Sequence, residues 1–597
     1  MTCQPHPFSG LGNVRVHFSG YKRESISAIN FLAQPRAFIT VLSTLFASPP
    51  TIPAIKAPAE CHILRTHSQM LPSSEKTGGT LCEEERQAAD CESFGFDGSD
   101  IQGNEKQPET RIDDVSDPQL RRLLQLKEEY GSTWDGPNDP DDPYNWPPSR
   151  KIFMGIILSL AQLITLMTAS IISAALNDIV ADLHISMSEA QMIYSTYFLG
   201  LAFGPFIVAA FSEMHGRKWV WIAGNIWYIL WNALSPVGKS KDMMVVSRLM
   251  AGLGASAGVT LTGPTMADMY GKKDRGKAAT ITALLPSLGP ALGPIVGGVV
   301  TQLIEWPWIF RIMSISTFVI TLLGFVYIQE SYTPVLLRRK ARGRSGATLQ
   351  KALSWQFCAN FLQRLALGIW RPIRLLLTRP IVQLIAIVLA LNFAIYSLLL
   401  GTYATLFIDS YGQTQSVSAL HYIAIAVAAT AAAQIGGRLM DRLYRYLSNQ
   451  QNDGEGKPEF RAPYLIPGVI LLPIGLILYG WAAEYRVSWP VVDIGAAIFA
   501  LGSIAVTQML FAYQLDEFVE HGASASAATR VLSYSLGFAF PIFAPKLYEQ
   551  LGYGWGNSML SLIWILFCFP LPVVLWVWGE KIRGWGRSSK EGRVEGA

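Results

Sequence analysis

Long apolar stretches recur along the chain from about residue 150 onward, and short polar segments separate them. A run of about 18 or more mostly apolar residues predicts a helix that crosses a membrane. Spans 1 to 6 are expected at about 152–175, 190–211, 219–237, 243–263, 279–303 and 310–329. Spans 7 to 12 are expected at about 381–407, 417–439, 464–484, 490–513, 527–549 and 556–578. The pattern therefore predicts an all-α membrane protein with twelve transmembrane helices in two six-helix halves.

The fifth span has an unusual composition. Residues 285–298 read LPSLGPALGPIVGG, with prolines at 286, 290 and 294 and glycines at 289, 293 and 297. A proline costs roughly 3 kcal/mol in an ordinary helix interior, but membrane helices tolerate it far better. Glycines on a four-residue stride let a neighbouring backbone approach closely. We therefore predict that span 5 is a bent helix with a close packing seam.

The segment between the two halves is strongly basic. From residue 331 to residue 379 it contains ten Lys or Arg and no Asp or Glu, and the loops between spans 2 and 3 and between spans 4 and 5 are also basic. Because positively charged loops stay on the cytoplasmic side, we expect these loops and both chain termini in the cytoplasm. Residues 349–377 alternate Arg with Trp and Leu, which favours a helix at the membrane interface over a solvated linker.

The first 150 residues differ from the rest of the chain. Residues 83–142 are acidic, polar and rich in Pro and Gly, which is typical of disorder, and a short helix is expected at about 117–130. The expected organisation is a largely disordered cytoplasmic tail at 1–150, an N-terminal half at 151–330, a basic linker at 331–380, a C-terminal half at 381–580 and a cytoplasmic tail at 581–597.

Composition narrows the class of protein. Of the 597 residues, 50% are hydrophobic, and the mean hydropathy is +0.27. The basic residues collect in short loops rather than on one face, so we expect no nucleic acid partner despite a pI of about 8.6. Six scattered cysteines without a CxxC pair indicate free thiols. The sequence contains no HExxH motif, so we expect neither an enzyme nor a bound cofactor or metal.

Two turns at matching places point to a duplication of the halves. After span 2 the chain carries Glu213, Gly216 and Arg217, and after span 8, the equivalent place, it carries Asp441 and Arg442. Each half thus keeps part of one acid–basic turn pattern. Together with the order of six spans, a linker and six spans, this predicts two halves related by duplication.

Motifs in a fixed order make a resemblance to a known family specific. DPDDPYNW precedes span 1, the Glu213 turn follows span 2, and SRLMAGLG lies in span 4. Smaller matches are QESYTPVLL after span 6 and PEFRAP before span 9. Together with span 5, these motifs resemble the major facilitator superfamily and, within it, the fungal drug:proton antiporters with twelve spans. The resemblance covers about residues 135–583.

The resemblance implies a major facilitator fold and a secondary active transporter. Such a protein would export small organic compounds, such as drugs, toxins or secondary metabolites, by alternating access and proton antiport. The expected partners are a small organic substrate, protons and the lipid bilayer, for a monomer in the plasma membrane. An importer or facilitator of solutes such as polyamines is one alternative, and a non-transporting membrane sensor is another.

The resemblance also assigns roles to residues. It implies an antiporter motif in span 5, formed by Gly289, Pro290, Gly293, Pro294, Gly297 and Gly298, with span 8 of the C-terminal half as its packing partner. It implies proton relay or gating by Arg248, Glu213, Arg217, Asp268, Arg275, Asp441, Arg442 and Asp516. A snorkelling arginine is the alternative for Arg248, and a solvated loop is the alternative for the charge clusters.

Polar and aromatic side chains within the apolar spans are candidates for a substrate cavity, because intramembrane amides usually face the helix bundle. They are Gln162, Thr165, Tyr194, Tyr197, Asn392, Tyr396, Gln434 and Gln508. Interhelical hydrogen bonding is the alternative for each. A cavity of aromatics and neutral amides favours amphipathic substrates that are uncharged or cationic.

Proton antiport also requires a group that titrates. No Asp or Glu lies deep within spans 1 to 9, and the candidates Glu213, Asp268, Asp516 and His421 lie toward the ends of spans. Proton coupling is therefore implied by the resemblance rather than by visible chemistry, and facilitated diffusion stays open.

Overall fold

The computed structural model describes residues 118–130, 133–270, 275–345, 355–451, 456–518 and 522–585. Every regular element in these ranges is a helix. All twelve spans lie in one unit, which contains residues 122–597. A helix at Pro118–Tyr130 lies where the sequence predicts one. The predictions for residues 1–117 and 586–597 fall outside the described ranges.

The N-terminal half consists of six long helices. Span 1 runs through Pro148–Ser170, a 3-10 turn at Ile171–Ala175 and a short helix at Leu176–Leu183. Spans 2 to 6 are Met187–His215, Arg217–Leu234, Lys241–Met269, Arg275–Leu303 and Pro307–Tyr327. Two further helices, Thr333–Ser345 and Trp355–Thr378, lie in the basic linker.

The C-terminal half repeats this arrangement with two irregular spans. Span 7 is Pro380–Tyr411 and span 10 is Trp489–Glu517. Span 8 comprises Gln415–Leu420, Tyr422–Ala431, a π-helical segment at Ala432–Gly436 and Gly437–Gln451. Span 9 is a 3-10 turn at Pro458–Tyr464 followed by Leu465–Glu484. Spans 11 and 12 share the element Gly522–Cys568, which kinks at Gly552, and Leu571–Gly584 extends span 12.

The prediction of twelve spans in two halves is confirmed. Nine helical segments of the described chain are long and apolar enough to cross a membrane, and one of them, Ser524–Gly584, contains both spans 11 and 12. Spans 3 and 5 complete the set. We call the end that carries the turns 2–3, 4–5, 6–7, 8–9 and 10–11 the linker end. The end that carries the turns 1–2, 3–4, 5–6, 7–8, 9–10 and 11–12 is the far end.

The DPDDPYNW motif folds into a compact turn before span 1. The Asp142 carboxylate accepts a hydrogen bond from the Tyr144 backbone amide at 3.1 Å and so caps the 3-10 turn Pro143–Asn145. Arg122 donates two hydrogen bonds to the same carboxylate, at 2.8 and 3.1 Å, and lies over the Tyr144 ring. The motif therefore anchors the helix Pro118–Tyr130.

The same motif also anchors the first linker helix. Lys340 contacts the carboxylates of Asp139 at 2.6 Å and Asp135 at 2.7 Å. Burial of Asp139 opposes its ionisation, but the bond from Lys340 and those from the backbone amides of Asp135 and Asp141 outweigh it. The pKa of Asp139 therefore lies below its ordinary value of 3.8.

The second linker helix, Trp355–Thr378, lies across both halves near the linker end. It forms an apolar pocket with residues of spans 2 and 11, and the lining residues are Phe203, Phe206, Ile207, Ile369, Pro372, Ile373, Leu376, Ala528 and Val531. Trp370 projects away from this contact and is 57% exposed. An apolar contact on the bundle and an exposed Trp are compatible with the predicted interfacial helix, which stays a prediction.

Candidate functional site

The three strided glycines of span 5 pack against span 1. A Cβ atom at Gly293 would lie 2.5 Å from the backbone oxygen of Met167, and one at Gly289 would lie 3.2 Å from that of Leu163. Gly297 faces the backbone oxygen of Ile171 even more closely. The prediction of a close seam is confirmed, but its predicted partner is wrong for these glycines. The seam lies within the N-terminal half because spans 1 and 5 are neighbours there.

A different face of span 5 meets the C-terminal half. Gly298 lies against Ala419 and against the backbone of Gln415, both at the start of span 8. Ala291 is buried in the core of the C-terminal half, and Ile295 packs beside it. For Gly298 the predicted contact with span 8 is therefore confirmed. Sequence spacing could not separate the two faces, because the small residues lie on both.

Arg248 of span 4 is fully buried rather than snorkelling to the surface. Its Nη2 donates to the Thr168 backbone oxygen of span 1 at 3.1 Å. Its guanidinium lies 4.5 Å from the centre of the Tyr197 ring. Nε and Nη1 are buried without a hydrogen-bond partner among the residues the structure describes. A buried cation with free donors is expensive in a membrane and is a functional candidate for that reason.

The cavity candidates of the N-terminal half differ in their contacts. The hydroxyl of Tyr197 donates to the Thr165 backbone oxygen at 3.2 Å, and the Thr165 hydroxyl donates within its own helix at 3.0 Å. Tyr194 reaches across the halves, because its hydroxyl lies 3.4 Å from the Ser397 backbone oxygen of span 7. Gln162 is half-buried. Tyr197 and Thr165 thus link helices within one half, and Tyr194 links the two halves.

The cavity candidates of the C-terminal half show a similar division. Asn392 is buried and donates to a backbone oxygen of span 10 at 3.0 Å. Gln508 donates to the Ala433 backbone oxygen at 3.1 Å, inside the π-helical segment whose widened turn disturbs the regular backbone ladder. Gln434, in the same segment, and Tyr396 are half-buried. Three half-buried candidates show no interhelical hydrogen bond within the described part of the chain, namely Gln162, Gln434 and Tyr396, and the Tyr396 ring stacks with Phe499 of span 10 at 6.1 Å.

An aromatic cluster joins the halves, and the sequence did not single it out. The Phe393 ring of span 7 lies edge-on to Phe198 of span 2 at 5.3 Å and to Tyr534 of span 11 at 5.0 Å. Each residue is an ordinary aromatic in an apolar helix when it is considered alone. Only the packing of three helices brings them together.

A charge cluster closes the linker end of the N-terminal half. Arg217, at the start of span 3, pairs with Asp268 near the end of span 4 at 3.3 Å. The Glu330 carboxylate, just after span 6, accepts a hydrogen bond from the Arg217 backbone amide at 2.8 Å. Glu213 is exposed, and the side chain of Arg275 lies outside the described set. Sequence reasoning missed Glu330, although it lies in the QESYTPVLL stretch.

The backbone conformation of the turn between spans 2 and 3 requires a glycine. Gly216 adopts φ +96°, and a Cβ atom there would collide with the Glu330 carboxylate. A residue with a side chain would therefore be strained and would displace the acid that caps span 3. This explains the glycine between Glu213 and Arg217 in physical terms.

The C-terminal half carries an equivalent cluster with a different cation. Arg461, at the start of span 9, pairs with Asp516 at the end of span 10 at 2.6 Å and with Asp441 at 3.4 Å. Arg442 is exposed. Arg461 lies in the PEFRAP stretch, so the signal was present in the sequence, but only the fold shows which acids it meets.

A second arginine completes the C-terminal cluster. Arg583, at the end of span 12, contacts Glu459 at 2.7 Å and Glu517 at 2.8 Å. Its place after the sixth span of its half corresponds to that of Glu330 in the other half. The two halves thus use groups of opposite charge at the same topological position.

At the far end, hydrogen bonds join the two halves to each other. Among them are the bonds of Asn177 with Asp409 at 3.3 Å, of Asp178 with Gln415 at 2.7 Å, and of the Gln302 side chain with the Ser416 backbone at 3.1 Å. Gln191 of span 2 also donates to the Gly401 backbone oxygen of span 7 at 2.9 Å. The far end is therefore closed between the halves.

Comparison with known proteins identifies the family. The model of the Major Facilitator Superfamily matches residues 158–541. The chain belongs to this superfamily. The probable efflux pump mfs2 of Aspergillus flavus is 38% identical over 68% of this chain and 97% of its own length. The MFS-type transporter penM of Penicillium rubens is 35% identical over 75% of this chain and 89% of its own length. The predicted resemblance to fungal efflux transporters is confirmed.

Solved structures agree on the fold. The xylose transporter XylE from E. coli, in a partially occluded inward open conformation, superposes with a TM-score of 0.53 at 15% identity. The match covers 71% of this chain and 97% of that one. A bacterial homolog of the human lysosomal transporter Spinster gives a TM-score of 0.53 at 12% identity, over 74% of this chain and 100% of that one. The superfamily match and the curated relatives, rather than these structures, make the chain a multi-pass membrane transporter of small molecules.

Proposed function

We propose that this superfamily member is a secondary active exporter of small organic compounds that works by alternating access and proton antiport. The observation that carries the proposal is a contrast between the two ends. At the far end, hydrogen bonds join the halves to each other. At the linker end, the ion pairs of Arg217 and Arg461 each close within one half. Two self-contained halves can rock as rigid bodies and open one end as the other closes.

Export is the direction that the relatives favour, since mfs2 bears the name of an efflux pump. The basic linker favours a cytoplasmic linker end, by the positive-inside rule. With the far end closed, substrate would reach the bundle from the cytoplasm. The protein would then work in the plasma membrane as a monomer, with both termini in the cytoplasm.

The candidate substrates are amphipathic organic molecules that are uncharged or cationic. Gln162, Gln434 and Tyr396 offer neutral amides and an aromatic ring, which can bind such molecules through hydrogen bonds and ring contacts. Drugs, toxins and secondary metabolites all include compounds of this kind.

Arg248 supports a role in proton coupling. It is a fixed buried cation with free donors, and a carboxylate that approaches it would release its proton more readily. Bound substrate and bound proton could then exclude each other, which is the requirement of antiport. The charge clusters around Arg217 and Arg461 would serve as gates that hold each half together while the linker end opens.

The test is transport in yeast cells that lack their own efflux pumps. The chain should lower the accumulation of a cationic amphipathic dye such as rhodamine 6G, and a protonophore should abolish that effect. Arg248→Leu should abolish the export as well. The matched control is Arg311→Leu, because Arg311 is exposed in span 6.

Three outcomes would overturn parts of the proposal. Accumulation above that of vector-only cells would show import. Concentrative export that persists with the protonophore would exclude proton antiport. Export that requires residues 1–117 would favour a sensor or a regulated transporter over a simple exporter.

A further inference from the structure

A histidine at the far end is held between two acceptors. His421 lies between the helices Gln415–Leu420 and Tyr422–Ala431 of span 8 and is only 8% exposed. Its Nδ1 lies 2.8 Å from an oxygen of the Asp493 carboxylate in span 10. Its Nε2 lies 2.8 Å from the side-chain oxygen of Gln413 in the 7–8 turn.

This arrangement fits the protonated ring. A neutral imidazole carries one N–H, whereas the imidazolium donates through both nitrogens, as a carboxylate and an amide oxygen require. The other Asp493 oxygen accepts from the Tyr403 hydroxyl at 2.7 Å, so the carboxylate is fixed in place. The Phe407 ring stacks on His421 at 3.8 Å between centroids, and an aromatic face favours a cation.

The neighbouring charges are few and identifiable. Span 10 contributes Asp493, and span 7 contributes the phenols of Tyr403 and Tyr411. Arg486, in the exposed 9–10 turn, acts on Tyr411. Asp409 lies at the same end of span 7 but bonds to the N-terminal half. Asp493 is therefore the acid in direct contact with the His421 ring.

The histidine is connected to the closed end through a short piece of chain. Gln413, which contacts His421, is two residues before Gln415, whose amide donates to Asp178 of span 1 at 2.7 Å. Ser416 follows and contacts Gln302 of span 5. Gain or loss of a proton at the Nε2 atom of His421 would thus act directly on residues 413–416, which join the two halves.

We propose that His421, Asp493 and Gln413 form a proton-binding site whose occupied state holds the far end closed. A proton that binds the closed state more tightly than the open state shifts the population toward closure. Closure should therefore increase as the pH at the far end falls. That this end faces the outside rests on the proposed function, so the site would sense external acidity.

The test measures the distance between the halves without any substrate. Spin labels at Ala181→Cys in the N-terminal half and Tyr485→Cys in the C-terminal half report on exposed positions of the far end. The labels are read by electron–electron distance measurements on the full chain in lipid nanodiscs, in a variant that lacks the six native cysteines. Both faces share one pH in a nanodisc, so the result does not depend on orientation.

Between pH 8 and pH 5.5 the population with the shorter distance should rise at least about threefold. His421→Gln should remove this dependence. His184→Asn should keep it, because His184 is an exposed histidine at the same end whose φ of +52° asparagine tolerates.

Two further variants separate protonation from a merely structural role. Asp493→Asn removes the negative charge beside His421 and should move the change in distance to lower pH. Gln413→Glu adds a negative charge and should move the change to higher pH. An unchanged pH response in His421→Gln, or none in the wild-type chain, would overturn the proposal. The distance measurement needs no transport, so a chain that does not export the dye can still confirm the proton-binding site. Conversely, a distance that does not respond to pH leaves the export proposal intact.

Discussion

Spans 5 and 11 occupy equivalent places in the two halves, but they pack in different ways. In span 5, Gly289, Gly293 and Gly297 face backbone atoms of span 1. In span 11, Gly537 faces the Phe393 ring of span 7, and a Cβ atom there would lie 2.5 Å from that ring. Backbone cannot move aside without shifting a whole helix, whereas a ring can rotate. We therefore expect spans 1 and 5 to move as one block, while spans 7 and 11 can adjust.

The charge clusters at the linker end also differ between the two halves. In the N-terminal half, Arg217 pairs with one acid, Asp268, which also accepts from the Ser331 hydroxyl. In the C-terminal half, Arg461 neutralises two acids, Asp516 and Asp441. At the linker end, the arginine of the C-terminal half therefore meets more negative charge than that of the N-terminal half.

The largest effect is expected at the span 5 seam. Gly293→Leu should leave the protein inserted but lower dye export by more than about tenfold, because overpacking against a backbone costs roughly 1–3 kcal/mol and blocks the contact with span 1. Gly263→Leu is the control, because no atom lies within 4 Å of a Cβ at that exposed glycine. Full activity of Gly293→Leu would refute the seam.

The next effect concerns the charge clusters. Arg461→Gln should lower export about threefold more than Arg217→Gln, because it leaves two acids rather than one without their cation. Export rates at equal protein levels would measure the difference. Equal losses in the two variants would show that the clusters work alike and would weaken the contrast between the halves.

A smaller effect should distinguish a backbone contact from a ring contact. Gly297→Ala should reduce thermal stability by more than Gly537→Ala, by roughly 1 kcal/mol, because the Ile171 carbonyl cannot rotate away as the Phe393 ring can. Unfolding in detergent, followed by tryptophan fluorescence, would measure both. A greater loss of stability in Gly537→Ala than in Gly297→Ala would contradict the distinction between backbone and ring contacts.

The smallest effect lies outside both spans, at the DPDDPYNW turn. Asp139→Asn should cost about 0.5 kcal/mol at pH 7, because the amide keeps a hydrogen-bond acceptor but loses the charge that pairs with Lys340. Since the folded pKa of Asp139 is depressed, this stability is present above the unfolded value near 3.8 and is lost as the pH falls through the folded pKa. The unfolding curves of the two chains should therefore differ at pH 7 and converge in acid.

Much of the architecture could be predicted because membrane helices are encoded locally. Each apolar run that predicted a span coincides with a helix, and even the prolines of span 5 did not disturb this. The 3-10 turn Ile171–Ala175 and the π-helical segment Ala432–Gly436 were not predicted. Both segments lie within continuous apolar sequence, so the hydrophobic pattern does not distinguish them from regular α-helix. The hydrogen bond to the π-helical segment comes from Gln508, which lies on another helix.

The candidate sites were predictable as residue types but not as partnerships. The sequence alone determined twelve spans, two halves, a basic linker and a glycine seam, because each depends on composition and spacing within one stretch of chain. Only the tertiary structure decided that the seam faces span 1, that Arg461 is the cation for Asp516 and that His421 meets Asp493. These contacts join residues that are far apart in the sequence, by more than a hundred positions in the seam. The packing of the whole bundle decides which helix faces meet.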